Sequence, residues 1–450
     1  MKYTIYLFLI ILSWPLQGQE LTAKQIKEDL IQLKEAIQNY NPALEVYNPN
    51  FISEAESLIS KISGSTISPI EAFDYISQLC ALSNEGHFSV GTWEDNVHSG
   101  FIDNEYRYLP ISVKVLQGRL ILWLDNSMEQ SLNRGDEILS INGLTAKDIL
   151  DKIYKNAPSD GSIKTYVDRN IERGFSWMFY LYVHRPDTFT LEIKNTSGLV
   201  KEQQIQALTR ETQFDNYARF YPDRANANEG EDAFFILKHE EEASYLTLPS
   251  FDYRRIEKFN IKSKQFYKDI FSELKEKKIK NLVIDLRGNT GGRNEFADDI
   301  VPFITKKGVE APFLKKTISW DGKTKTYKFP GPSKLAFTGN IFVLVDGRTY
   351  SAGNTLARYL LEYANATFIG EETGTRYEGF AAGSQQDIIL KNSQIKIGIP
   401  RYHIVFPESV KQSTSNRGLL PQHKIEYSIE DMNNGKDFYL EKVKSLILEK

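Results

Sequence analysis

Ile341-Phe342-Val343-Leu344-Val345-Asp346-Gly347-Arg348-Thr349-Tyr350-Ser351-Ala352-Gly353-Asn354 decides the reading of this chain. Five apolar residues in succession specify a buried strand, and Asp346-Gly347 specifies a turn. Leu356, Leu360 and Tyr363 then stand at helical spacing, in a helix opened by Ser351. A serine at the first turn of a helix, just past the carboxyl end of a strand, is well placed to be a nucleophile. The free N–H groups and dipole there favour negative charge. The same residue type also serves as an ordinary helix N-cap. The rest of the chain decides between the two.

The 450 residues suggest two to three domains, with 41% hydrophobic and 25% charged residues, as in a soluble globular protein. A net charge of -4 without a basic block argues against a nucleic-acid partner or an anionic membrane surface. Residues 1–18 carry a short basic head, an apolar core (Ile5 to Leu12) and a polar end, and read as a cleavable secretory signal. An uncleaved anchor is the alternative. The expected location is therefore outside the cytoplasm, periplasmic or secreted. Cys80 is the single cysteine and falls in an apolar helical stretch, so no internal disulfide is expected.

Residues 19–105 read as helical. Thr22-Ala23-Lys24-Gln25 is a capping box followed by Ile26, Leu30, Leu33 and Ile37, and Asn41-Pro42 stops the helix. Ser68-Pro69-Ile70-Glu71 starts a second helix that runs through Phe73, Ile76 and Leu79 to Asn84-Glu85-Gly86, directly before His87. Residues 106–208 alternate as strands at Ile111–Val115 and Leu120–Trp123. Leu132-Asn133-Arg134-Gly135-Asp136-Glu137-Ile138-Leu139-Ser140-Ile141-Asn142-Gly143 and a helix at Ala146–Tyr154 follow. The GDEIxxING run closely resembles the signature of a PDZ domain, which implies a module that takes up a peptide C-terminus as an extra strand. A plain hairpin with Asn-Gly at its turn is the other reading. Arg219–Asp232 reads as a linker, and residues 233–450 alternate strand and helix as an α/β domain.

In that domain a second segment stands out: Asp285-Leu286-Arg287-Gly288-Asn289-Thr290-Gly291-Gly292. A buried strand runs into a glycine-rich turn, and Asn294 is placed to cap the next helix. Such glycines let backbone N–H groups approach an anion. The nucleotide-binding spacings are absent, and an oxyanion hole needs the same geometry.

The DLRGNxGG turn, the serine in TYSAGN, the PDZ-like run, Asn84-Glu85-Gly86-His87-Phe88-Ser89 and Gly418-Leu419-Leu420-Pro421 occur here in one order. Together they resemble the C-terminal processing (tail-specific) serine proteases and the tricorn core protease. The resemblance implies a crotonase-like ββα catalytic domain, a protein or peptide substrate and no cofactor. It further implies Ser351 as nucleophile and His87 as general base. Ala352 with Gly291 or Gly292 would supply the oxyanion hole. A serine hydroxyl needs a base to take its proton, and a histidine can take and return it.

Three departures from the family follow. The processing branch has a lysine base twenty-five residues after the serine, where this chain has Arg376, which stays protonated. Arg376 could hold a substrate carboxylate or pair with Glu371, Glu372 or Glu378. Gly86 precedes His87 where the tricorn core has serine; Glu378 and Glu408 are the candidates for the acid that orients the base, a solvated surface group being the other reading of each. Gln422 follows Pro421 where aspartate is frequent. His98, His184, His239, His403 and His423 show no metal-ligand spacing, so no metal site is expected. Two non-peptidase readings accompany the exported serine endopeptidase: a peptide-binding protein without turnover, and a carrier of small apolar ligands on the same scaffold.

Overall fold

The structure is a computed structural model and describes residues 20–92, 106–227, 233–433 and 436–449. The apolar leader lies outside the described residues, as does part of the stretch read as a linker. Both capping boxes in the helical region form. Thr22 and Gln25 open the helix Ala23–Tyr40, and Ser68 and Glu71 open Pro69–Ala81. Ile26, Leu30, Leu33 and Ile37 are fully buried, as their 4-3-4 spacing predicts. They pack with Phe73, Ile76, Leu79 and Cys80. Leu390, Ile395, Ile397 and Ile399 from the far end of the sequence complete this core.

The middle of the chain is an antiparallel sheet in the order Ile111–Leu116, Arg119–Asp125, Glu137–Ile141, Thr188–Lys194, Val200–Gln206. Ala146–Asn156 and a helix not foreseen from the sequence, Thr165–Tyr182, pack on it. The aromatics Phe175 and Phe179 are buried on this second helix. Its side chains cover the sheet's first edge. Val115 N–H donates to Glu172 Oε1 at 3.0 Å, and Arg169 Nη2 donates to the Val115 carbonyl at 3.1 Å.

The α/β domain holds a parallel sheet, His423–Lys424, Thr367–Gly370, Asn340–Val345, Asn281–Asp285 and Ser244–Thr247, with Ile236–His239 antiparallel at its edge. Its central strands are apolar on both faces because both are covered. Ile341, Val343 and Val345 meet the helices Ser263–Glu276 and Ala352–Ala364. Phe342 and Leu344 share a core with the C-terminal helix Phe438–Leu448. The α/β class expected from the sequence is the one adopted.

A second sheet contains the long strands Gly379–Ile389 and Lys396–Val405. Ser89–Val90, immediately after His87, pairs antiparallel with Lys396–Val405, with Ser89 opposite Gly398 and Val90 opposite Ile397. That pairing carries the end of the helical region onto the α/β domain.

Candidate active site

Ser351 is the N-cap of Ala352–Ala364, with φ 53° and ψ -121° and no side-chain capping bond. A positive φ with this ψ is costly for a residue with a Cβ, on the order of 1–3 kcal/mol, and the surroundings hold it. Ser351 N–H donates to Thr375 Oγ1 at 2.7 Å. Tyr350 N–H donates to the Asn289 carbonyl at 2.9 Å. Asp346 Oδ1 accepts from Gly288 N–H at 3.0 Å and Arg348 N–H at 2.9 Å. These bonds lace the turn after Asn340–Val345 to the glycine turn after Asn281–Asp285, so the two segments singled out in the sequence lie against each other.

Gly291 has φ 87°, and a Cβ there would stand 2.6 Å from Ala352 N and 3.0 Å from Ser351 Cβ. Gly292 has φ 134°, and its Cβ would stand 2.0 Å from the Phe251 carbonyl oxygen. Both positions therefore exclude any side chain. Gly291 N–H is taken by Asn289 Oδ1 at 2.8 Å. Gly292 N–H and Ala352 N–H donate to no protein acceptor among the described residues. Gly291→Ala is expected to cost about 1–3 kcal/mol of stability. If a donor facing Ser351 shifts with it, kcat falls by about 10²-fold or more. Thermal unfolding and turnover on one protein preparation check both.

Asn294 was expected to cap the following helix. It makes no side-chain cap bond to Glu295–Asp298, because its own backbone is already helical.

His87 is half-buried between two rings. It stacks on Tyr350 at 4.6 Å between centroids and on Phe380 at 5.3 Å. Tyr350 Oη lies 2.9 Å from Nδ1, while Nε2 is buried without a hydrogen-bond partner. Burial lowers the basicity of the imidazole, and the charge of Asp160 partly restores it. Gly86 fits tightly here: a Cβ would stand 2.5 Å from Tyr350 Oη and 3.1 Å from Asp160 Oδ1.

The remaining expected site residues stand elsewhere. Arg376 is fully buried and ion-pairs with Glu85 at 3.1 Å, not with Glu371, Glu372 or Glu378, and has no surface to offer a substrate. Its Nη2 donates to the Asn84 carbonyl at 2.5 Å, and its Nε to Asn416 Oδ1 at 3.2 Å. Its guanidinium stacks on Tyr47 at 3.7 Å. Burial and the nearby Asp160 push the Glu85 carboxyl up to about 8, against the pull of Arg376. Glu378 Oε1 accepts from Asn416 N–H at 2.8 Å, and Glu408 is exposed. Neither has a hydrogen bond to His87. Tyr350, Asp160 and Glu85 were not found from the sequence. The only signal was that Tyr350 directly precedes Ser351 and that Glu85 stands two residues before His87.

No cluster able to hold a metal ion occurs among the described residues, nor does a helix long and apolar enough to cross a membrane.

Residues 242–424 match the model of Peptidase family S41. The Carboxy-terminal-processing protease of Bartonella bacilliformis is 26% identical over 178 residues, which are 38% of this chain and 37% of that relative, so little over a third of its length is matched. Mature CPAF complexed with lactacystin superposes with a TM-score of 0.67 at 16% identity, covering 95% of this chain and 98% of the other. The cpaf s499a mutant gives a TM-score of 0.67 at 12% identity, covering 95% and 97%. The likeness to these structures is one of fold and runs through all three parts of the chain.

Proposed function

We propose that the protein is an exported serine endopeptidase that cuts peptide bonds through an acyl-enzyme on Ser351, with His87 as general base. One observation carries this reading. A half-buried histidine whose Nε2 is itself buried and unpartnered is packed against Tyr350, the neighbour of a serine on a strained turn. With Nδ1–H donating to Tyr350 Oη, the Nε2 lone pair is free to take the Ser351 proton. The hydroxyl oxygen then bonds to the peptide carbonyl carbon, and the oxyanion meets Ala352 N–H and Gly292 N–H. His87 returns the proton to the departing amine, and water repeats the cycle to free the acid. Tyr350 holds the ring where an acid was expected. Arg376, from the position of the family's lysine, acts as a clamp and not as a base.

A substrate tail held on the β-rich unit in PDZ fashion would add along Val200–Gln206, the edge strand that pairs on one side only. The opposite edge is filled by Glu172 and Arg169. Export is supported by the apolar leader of the sequence.

A peptide-binding protein without turnover is the second reading, favoured because no carboxylate accepts a hydrogen bond from His87 among the described residues. Mass spectrometry of an unfolded polypeptide incubated with wild type, Ser351→Ala and His87→Ala decides between them. Cleavage by wild type alone supports the peptidase. Binding of C-terminal peptides with no cleavage by any of the three supports the second reading.

The pH profile is a further check. His87 must be neutral to act as base, and its basicity is lowered from the ordinary value of 6.5. The acid limb of kcat/KM is therefore expected below that pH, with activity lost as pH falls through the limb. A limb above pH 7 would sink the assignment of His87 as base.

A further inference from the structure

Asp160 belongs to the β-rich unit, in the loop between Ala146–Asn156 and Thr165–Tyr182, yet it sits fully buried beside the loop that carries His87. Its Oδ1 accepts from Gly86 N–H at 2.6 Å and its Oδ2 from Arg376 N–H at 3.1 Å. The next residues fasten the same place: Gly161 N–H donates to the Asn84 carbonyl at 3.1 Å and Ser162 N–H to the Asn416 carbonyl at 3.2 Å. No lysine or arginine side chain bonds to Asp160 among the described residues, because the Arg376 guanidinium is turned to Glu85. A neutral asparagine or serine oxygen would satisfy one N–H equally well. A buried carboxylate with no side-chain donor is a costly choice unless its charge has a use, and the Arg376 guanidinium nearby already faces a second carboxylate, Glu85. The use on hand is the imidazolium that His87 becomes while it holds the Ser351 proton.

We propose that Asp160 is a positioning residue for this site: it fixes the His87 loop through Gly86 and sets a carboxylate beside that loop, without touching the ring. The inference rests on the acyl-transfer reading for its catalytic meaning. Gly86 fits the arrangement, since a Cβ there would stand in the space between Asp160 Oδ1 and Tyr350 Oη. The charged and titratable groups around the loop are Glu85 and Tyr47 from the helical region, Asp160 from the β-rich unit, and Tyr350, Arg376, Glu378 and His403 from the α/β domain. Of these, Asp160 is the group whose charge raises the basicity of His87 against the effect of burial.

The test uses the full chain. In the Ser351→Ala background, His87 is titrated by NMR with and without Asp160→Asn. His87 is expected to titrate at lower pH in the variant. In the active protein, Asp160→Asn is expected to lower kcat by about 10- to 100-fold, to move the acid limb of kcat/KM to lower pH and to leave KM within about threefold. Asp160→Ser, which keeps an acceptor for Gly86 N–H but no charge, is the second variant should the first not fold, with the same shift expected. An unchanged His87 titration overturns the proposal, including the case where activity falls together with the unfolding temperature, which would make Asp160 a brace only. If the wild type cleaves nothing, the acyl-transfer reading fails, while the titration still decides whether Asp160 acts on His87.

Discussion

Ser351→Ala is expected to abolish peptide cleavage, with a fall in kcat on the order of 10⁵ to 10⁶, and His87→Ala is expected to do nearly the same. The two effects do not add, because the proton transfer needs both groups and removing either removes the covalent route. The double variant should therefore be no worse than the single ones. Measurement of kcat for the three proteins on one peptide decides this, and a double variant far slower than either single variant would mean that each residue works independently. Stability separates from activity at the same position. Ser351 has φ 53°, a conformation that alanine resists as serine does, while glycine adopts it freely. Ser351→Gly is therefore expected to be as inactive as Ser351→Ala yet more stable by about 1 kcal/mol. Equal unfolding midpoints for the two would show that the turn stores no strain.

Arg376→Ala is expected to be the most damaging substitution outside the proposed catalytic pair. Arg376 and Glu85 are each fully buried, and Asp160 adds a second carboxylate to the same place. Removing the guanidinium leaves buried acids with no cation, a change that costs about 3–5 kcal/mol. It also releases the carbonyl of Asn84, and with it the loop that holds His87. Stability and cleavage should fall together. Lysine should not rescue, because three different nitrogens of Arg376 are in use, at Glu85, Asn84 and Asn416, and an ammonium cannot reproduce that fork. Denaturant unfolding of Arg376→Ala, Glu85→Ala and the double variant tests the account. The double variant should be less unstable than the sum of the single ones, since each partner strands the other. Strict additivity would mean that the pair is not coupled.

The contrast between what could and could not be read from the sequence follows sequence separation. The capping boxes at Thr22 and Ser68, the buried strands at Asn281–Asp285 and Asn340–Val345, and the helix after Ser351 are written in residues a few positions apart, and all were legible. The helix Thr165–Tyr182 was not. Lys164 offers no side-chain cap, and Gly174 interrupts the pattern with non-helical backbone. The long hairpin of Gly379–Ile389 and Lys396–Val405 was also missed, because its partners include Ser89–Val90, far back in the chain. At the candidate site, Ser351 and the glycine turn announce themselves by local pattern. Arg376 illustrates the opposite. Glu371, Glu372 and Glu378 are its neighbours in sequence, but its partner Glu85 stands 291 positions away. Asp160 has no motif at all, and its meaning comes only from the Gly86 and Arg376 amides it meets.

The groups gathered around Tyr350 come from three parts of the chain, each with a hydrophobic core of its own: His87 from the end of the helical region, Asp160 from the β-rich unit and Ser351 from the α/β domain. During synthesis the histidine is made first and Arg376, which locks it in place, nearly three hundred residues later. A nascent chain therefore has no assembled site with which to attack itself or its neighbours, however well its first two parts have folded. In refolding, cleavage activity should be the last property to return, well after the helical signal. On the proposed reading, no cleavage is expected until all three parts of the chain are in place.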